Sequence, residues 1–556
     1  MNKKTFVILS AACILVLWCF QNVITVNVPW WDDFHGIILP VYDLFTEKSF
    51  IGKFLNFVSL NNEHRVVNDR IFTLLIYLVT GKFELKALAL LGFVNLIGIF
   101  LVVVRVLRIQ KVQWTALLPV LFLVFHAQYY EGLQSLMVPF QNFSVILYML
   151  LSLYFLVFRK SFVAGFVFAL AAIFSHGNGI LVFILGALVL LIRREYRQTA
   201  LWTLLSVFTV FIYFLGYSKP EWANEAVISP WKNPVAAIRY GFEFLGAYSL
   251  NLVEISTGLA NSSLKQLLPQ LTGLAVVLLW LYLVLKKYPL QKSSLQKLKD
   301  NPADQFLLGM AAFFLATGIM MGLTRTGFPV LSRYTINSSF FLVALWGFYV
   351  TNYSEKGSRL VTLLTFGGAL LSYYNATAKG IYFRDNCITD AINYRVNGTW
   401  VNGYSDSSHV ARVNPLLKEP LAAGAYVFPS SELDNFNGWS AETSREKADF
   451  SIVGDYLIIS GTADTETFFT LESDRHQFIF PVSKIRANPK DFLLHRTYYS
   501  DLYRAVFPIH IVPAEHYRIY KITRRGNGFK KLYLQRVLTP AKLIVYRKDV
   551  PAEQER

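Results

Sequence analysis

Long apolar runs, separated by short clusters of Lys and Arg, fill the first two thirds of the chain. They lack the three- and four-residue alternation of a soluble amphipathic helix and predict membrane-spanning segments. Eleven are expected, near 6–24, 84–106, 113–128, 141–158, 161–175, 178–192, 199–217, 268–286, 305–323, 336–351 and 359–376. The stretch 161–192 is short enough to read as a hairpin of tilted or partial helices. Lys3/Lys4, Arg105/Arg108/Lys111, Arg159/Lys160, Arg193/Arg194/Arg197, Lys286/Lys287 and Lys356/Arg359 fall on one side, which the positive-inside rule makes cytoplasmic. An odd span count then puts the C-terminus outside. The first outward loop, 25–83, is too long for a connector. Its VYDLF, FLNFVSL and VVNDRIFTLLIYLVTG stretches read as amphipathic interfacial helices. Further outward loops are 126–140, 218–267 (with Trp222, Trp231 and Arg239) and 324–335. After residue 377 the pattern shortens to strand-like alternation in YLIISG, FIFPV, KLYLQRVL and KLIVYRK. The expected fold is an α-helical polytopic membrane domain over 1–376. An extracytoplasmic α+β domain follows over 377–556, more helical at first and more β after 450.

Composition agrees. The chain is 54% hydrophobic and 16% charged, where soluble domains carry about a quarter charged residues. A net charge of +17 invites a nucleic-acid reading, but much of the excess lies in the short loops that set orientation. Cys13, Cys19 and Cys387 cannot build a disulfide framework. Lys3 and Lys4 before an apolar run resemble a signal peptide. No small-residue cleavage site precedes Pro29, so a retained first helix is expected. Asn-X-Ser/Thr sites at Asn261, Asn337, Asn352, Asn375 and Asn397 fall on both sides and read as chance.

The candidate chemistry lies in the outward loops. VPWWDDFHG sets Asp32 and Asp33 just beyond the first apolar run. Taken alone, the pair is a polar helix end at a Trp-rich interface. The same loop continues as LNNEHRVVNDR, where Glu63, His64, Arg65, Asp69 and Arg70 crowd one stretch. It reads as a solvated charged turn with internal salt bridges, or as a His64 beside a carboxylate and arginines that suits anion binding or proton transfer. His126, Glu131 and Gln134 follow in the next outward loop, and His176 and Asn178 in SHGNG, where Gly177 and Gly179 also read as a tight turn. Arg325 and Arg333 flank the loop before SRYTINSS. Arg at this depth either snorkels or holds a phosphate. Carboxylates that accept a hydroxyl proton, with arginines that hold a phosphate leaving group, make a site for group transfer from a lipid phosphate. No HxxxH, CxxC, GxGxxG or Walker pattern occurs.

A first helix followed by an acidic pair, a long first outer loop, about ten more spans and an outer C-terminal domain is similar to the GT-C superfamily of polytopic glycosyltransferases. The likeness covers the whole chain in layout and rests on WDD at 31–33 and SRY at 332–334. It implies a sugar donor on a polyprenyl phosphate and a glycan or glycolipid acceptor of the lipopolysaccharide or O-antigen kind. It also implies inversion at the anomeric carbon and a bacterial inner membrane, with the C-terminal domain periplasmic. One of Asp32 and Asp33 would be the general base. Arg325 or Arg333, with Tyr334 beside it, would hold the donor phosphate. Some members of the superfamily use a divalent cation, Mg or Mn, and the resemblance would put it on Asp32 or Asp33. Glu63, His64, Arg65, His126, Glu131, Gln134, His176 and Asn178 are candidate substrate contacts. The main rival is a membrane transporter or flippase. No repeated halves support it, and the polar candidates gather at outer helix ends instead of mid-membrane. A phosphoethanolamine or acyl transferase, a glycan polymerase or ligase and a non-enzymatic scaffold are the remaining rivals.

Overall fold

The fold is a computed structural model and describes residues 1–217, 230–253, 262–402, 407–443, 448–462, 466–526 and 528–538. Trp222, Asn261, the 542–548 strand and the side chain of His409 lie outside the described residues. About 66% of the chain is helical. It divides into two units: Met1–Thr25 with Trp31–Thr377, and Val26–Trp30 with Ala378–Arg556.

The first unit is a helical bundle. Among the described residues, five helices are long and apolar enough to cross a membrane: Lys3–Ile24, Leu85–Ile109, Pro139–Arg159, Gln266–Lys287 and Pro302–Thr324. In length and composition these helices are those of a helical membrane protein. Faces of these and neighbouring helices leave large apolar side chains outside, among them Ile8, Leu15, Leu204, Val207 and Phe211. Hydrocarbon solvates such a surface where water does not. Other expected spans are realised as shorter pieces, Leu118–Val124, Phe162–Ile173 and Ile180–Ile192. The first loop folds as expected into short helices, Leu39–Thr46, Phe50–Phe57 and Val67–Thr80.

Two expectations need correction. The stretch 218–267 is not all loop: Pro234–Leu245 is a helix capped by Asn233 and started by Pro234. Its small residues let two other helices come close. A Cβ on Gly322 would lie 2.4 Å from the Ala237 carbonyl oxygen, and one on Gly273 would overlap the Phe242 carbonyl. Gly318 and Gly322, four apart, give the Pro302–Thr324 helix a small-residue stripe of the kind that draws membrane helices together. The second correction is at 359–376, where the helix does not stop but runs from Ser358 to Asn397. The boundary between the two units falls inside it.

The second unit carries two sheets. One has the order β1–β9–β8–β4–β5 and the other β2–β3–β7–β6. The strands are β1 Ala441–Thr443, β2 Asp449–Val453, β3 Tyr456–Thr462, β4 Thr467–Glu472 and β5 Gln477–Pro481. They continue with β6 Ser483–Arg486, β7 Tyr499–Pro508, β8 Tyr517–Arg525 and β9 Gly528–Leu538. Only the β1–β9 pair is parallel among the described strands. Alternation in β3 points Leu457 and Ile459 inward, against Phe469, Phe480 and Phe507. The other face of the larger sheet buries Phe468, Ile479 and Ile522 beneath Ile392, Leu433 and Phe436. Both faces of β4 are thus covered, which explains its unbroken apolar burial.

The Gly322 contact makes a prediction. Gly322→Val forces helix 302–324 off Ala237 and lowers thermal stability in detergent by about 1–3 kcal/mol. Gly367→Ala, where nothing lies within 4 Å of the added methyl, is neutral or slightly stabilising. Equal melting temperatures for Gly322→Val and wild type would refute the close crossing.

Candidate functional site

The acidic pair sits at a sharp change of chain direction. Trp31 adopts a left-handed backbone (φ 48°), and a π-helical turn, Phe34–Ile38, begins directly after Asp33. Such turns recur at functional positions. The turn separates the two carboxylates. Asp32 is exposed, while Asp33 is only 4% exposed.

Asp32 is held by a second turn. The backbones of Asn61 and His64 exchange hydrogen bonds of 2.7 and 3.0 Å, and Asn62 between them is left-handed (φ 52°). Asn tolerates that conformation better than most side chains. From this turn Asn62 Nδ2 donates to Asp32 Oδ1 at 2.9 Å. The next residue, Glu63, pairs with Arg325 Nη2, and His64 Nε2 lies 3.7 Å from the same carboxylate oxygen. Arg325 is placed by its position as the C-cap of helix 302–324. One tight turn therefore joins Asp32 on one side to Arg325 on the other.

The His64 ring packs on His176 with centroids 4.2 Å apart. Its Nδ1 is buried without a hydrogen-bond partner among the described residues, and Gly177 leaves room for it: a Cβ there would lie 2.7 Å from Nδ1. His176 Nδ1 meets Asn178 Oδ1 at 2.8 Å, and Asn178 Nδ2 reaches Thr317 Oγ1 at 3.4 Å. Burial first, then the charge of Arg325, holds the His64 imidazole down at about 4. Burial, then His64 itself, holds His176 at about 3. Both rings are neutral at physiological pH.

Arg333 lies nearby in charge terms, acting on Tyr334, Glu131 and Asp32, with its guanidinium 5.2 Å from the Tyr334 ring centre. Its backbone N–H donates to Glu131 Oε2 at 3.3 Å. Ser332 Oγ donates to the Gln128 carbonyl and accepts from the Glu131 N–H, which docks the 126–134 loop on the 332–334 turn.

Other candidates are engaged elsewhere. Arg65 donates to the carbonyls of Tyr213, Val58 and Leu215, a clamp between the first loop and the end of helix Tyr196–Phe214. His126 is fully buried. Its Nδ1 accepts from the Gln128 N–H, and its Nε2 meets Ser339 Oγ at 2.9 Å. Gln134 is buried, with Oε1 unpartnered among the described residues. His126 and Gln134 are interior groups of the bundle.

Sequence reading left out Asn62 and named Asp69 only as one of the charges that crowd the first loop. Asn62 holds Asp32, and the signal for it was the Asn-Asn pair at a turn. Asp69 is 0% exposed, and neither carboxylate oxygen has a hydrogen-bond partner among the described residues. Burial pushes its carboxyl well above the usual range. Arg70 opposes the shift and the negative charge of Asp33 adds to it. Arg70, equally buried, directs Nε to the Gly36 carbonyl at 2.7 Å and Nη1 to Phe57 and Ser59 at 2.8 and 2.7 Å.

The residues do not assemble a cation cage. Among those described, no group of three or more His, Cys, Asp or Glu is placed to hold a metal ion. Asp32 faces an amide donor, and Asp33 turns inward. No known protein family, curated protein or solved structure matches the chain.

The two imidazoles fix a pH dependence. An unfolded chain protonates them near 6.5, whereas the folded protein keeps them neutral. The unfolded state then binds more protons, so stability falls as pH drops below about 6.5, by about 1.4 kcal/mol per unit for each ring. The loss levels off near 4 for His64 and near 3 for His176. Denaturation midpoints from pH 7 to 4 test this. His64→Gln and His176→Gln each flatten the slope, and unchanged slopes in both would contradict the neutral pair.

Proposed function

We propose that the protein is an integral membrane glycosyltransferase of the GT-C kind. It moves a sugar from a polyprenyl-phosphate donor to an extracytoplasmic glycan acceptor, with inversion, in a bacterial inner membrane. The observation that carries this reading is the exposed Asp32 carboxylate, steadied by Asn62 on the turn whose next residue engages Arg325. Of the acidic pair, Asp32 is the one a substrate hydroxyl can reach, and Asp33 is the one that burial withholds.

In this reading Asp32 takes the proton of the acceptor hydroxyl. The freed oxygen pair attacks the anomeric carbon from the face opposite the phosphate. The bond from that carbon to the phosphate oxygen breaks, and polyprenyl phosphate leaves. Arginines stabilise the growing phosphate charge. Arg325 is already paired with Glu63, so a donor phosphate displaces that carboxylate, which has His64 as its next neighbour. Arg333 and Tyr334 complete the anion-binding side.

A transporter or flippase reading has one observation in its favour, the fully buried Asp69, since transporters use such groups for proton coupling.

The deciding measurement is surface glycan structure in cells lacking the native gene, complemented with each variant at matched membrane levels. Asp32→Asn is expected to cut transfer by about 10²–10⁴-fold, the usual contribution of a general base. Full rescue by Asp32→Asn, with the sugar lost in Asp69→Asn, would favour transport. No glycan change on deletion would remove both readings.

A further inference from the structure

The second unit carries a short run of exposed apolar side chains, in which Phe492 also meets the Tyr498 ring at 5.9 Å. Between β6 and β7 the chain makes a seven-residue helix, Pro489–His495, with no buried residue. Asn488 caps its start, accepting from the Asp491 N–H at 2.9 Å. Arg496 ends it in a left-handed conformation (φ 56°). Three consecutive residues on this helix are apolar and exposed: Phe492 at 39%, Leu493 at 77% and Leu494 at 64%. Ile485 on the edge strand β6 and Leu502 on its neighbour β7 are exposed as well. A run of this kind costs free energy in water, and a hairpin tip closed with polar residues would avoid the cost.

The surrounding charge states what the patch meets. Between 484 and 504 the chain has five basic residues, Lys484, Arg486, Lys490, Arg496 and Arg504, against two acids, Asp491 and Asp501. Lys490 and Arg496 bracket the apolar triplet and are exposed. Tyr498 and Tyr499 follow directly, edge to face at 4.6 Å. Exposed apolar side chains flanked by basic residues match an anionic membrane surface, where acyl chains take the first and phosphates the second. A protein partner would not need that sign of charge. The bilayer is also at hand, because this unit continues the chain of a membrane-spanning bundle.

We propose that the 485–502 patch docks on the anionic lipid surface of the membrane that holds the bundle, with Phe492, Leu493 and Leu494 entering below the headgroups. The proposal is independent of the transferase reading, and its test needs no activity.

The full-length protein is reconstituted into vesicles of phosphatidylcholine alone or mixed with phosphatidylglycerol. An environment-sensitive fluorophore is attached to Leu493→Cys in a background with Cys13, Cys19 and Cys387 replaced by Ala. Thr443→Cys, on exposed β1, is the control site. Lipids brominated in the acyl chain should quench the label at 493 and not at 443. Quenching should rise with phosphatidylglycerol, and charge removal in Lys490→Gln or Arg496→Gln should weaken docking by about fivefold each. Hydrogen–deuterium exchange on the unsubstituted protein gives a second measure: residues 489–497 should be slower in the anionic vesicles. Equal quenching at 493 and 443, or exchange that ignores lipid charge, would overturn the assignment. Protection in both lipid compositions without quenching would mean that protein, not lipid, covers the patch.

Discussion

A backbone carbonyl removed from water needs a donor, and in this bundle two arginines supply donors where helices cannot. Arg65 and Arg70 lie in one short sequence, HRVVNDR, and their guanidinium groups go to backbone carbonyls. Arg70 gathers Gly36, Phe57 and Ser59, which are the π-helical turn after the acidic pair and the end of the Phe50–Phe57 helix. Arg65 ties Val58 to the Tyr196–Phe214 helix. The irregular segments of the first loop, otherwise costly beside hydrocarbon, are held by these two side chains. The turn that carries Asn62, Glu63 and His64 hangs directly from Arg65. The arrangement of the candidate site thus rests on charges that never need to face a substrate.

The same view explains what the sequence disclosed and what it concealed. Apolar runs such as 85–109 and 302–324 are legible because length and hydropathy suffice. The Pro234–Leu245 helix is not, because Arg239 and Glu243 interrupt its short apolar stretch and its packing relies on small residues that hydropathy ignores. The continuation of the Ser358 helix past 376 is hidden for another reason. Polar residues there, such as Asn393, bond to strand backbone at Ile479, so a helix persists where apolarity ends. In the second unit, strand alternation was visible in YLIISG and FIFPV, whereas the two-sheet order depends on long-range pairing that no local pattern reports.

Within the site, residue type misled more than position did. Asp32 and Asp33 are indistinguishable as letters, yet the left-handed Trp31 and the turn after Asp33 send one out and one in. His126, Glu131 and Arg65 have the chemistry of ligands, but His126 is satisfied by a backbone amide and a serine, Glu131 braces a turn, and Arg65 braces a loop. His64 and His176 lie 112 positions apart and nothing local pairs them. A glycine with no room for a methyl, Gly177, is what brings their rings together.

The close seam at Gly318 and Gly322 has one more consequence. Arg325 is the very next turn of that helix, so no flexible linker separates the guanidinium from the seam. A helix joined backbone to backbone with its neighbour can slide or rotate only together with it. Any movement of that pair relative to the first loop would be read out at once as a change in the reach of Arg325 toward Glu63. The ion pair is in effect a position gauge for those two helices against the first loop.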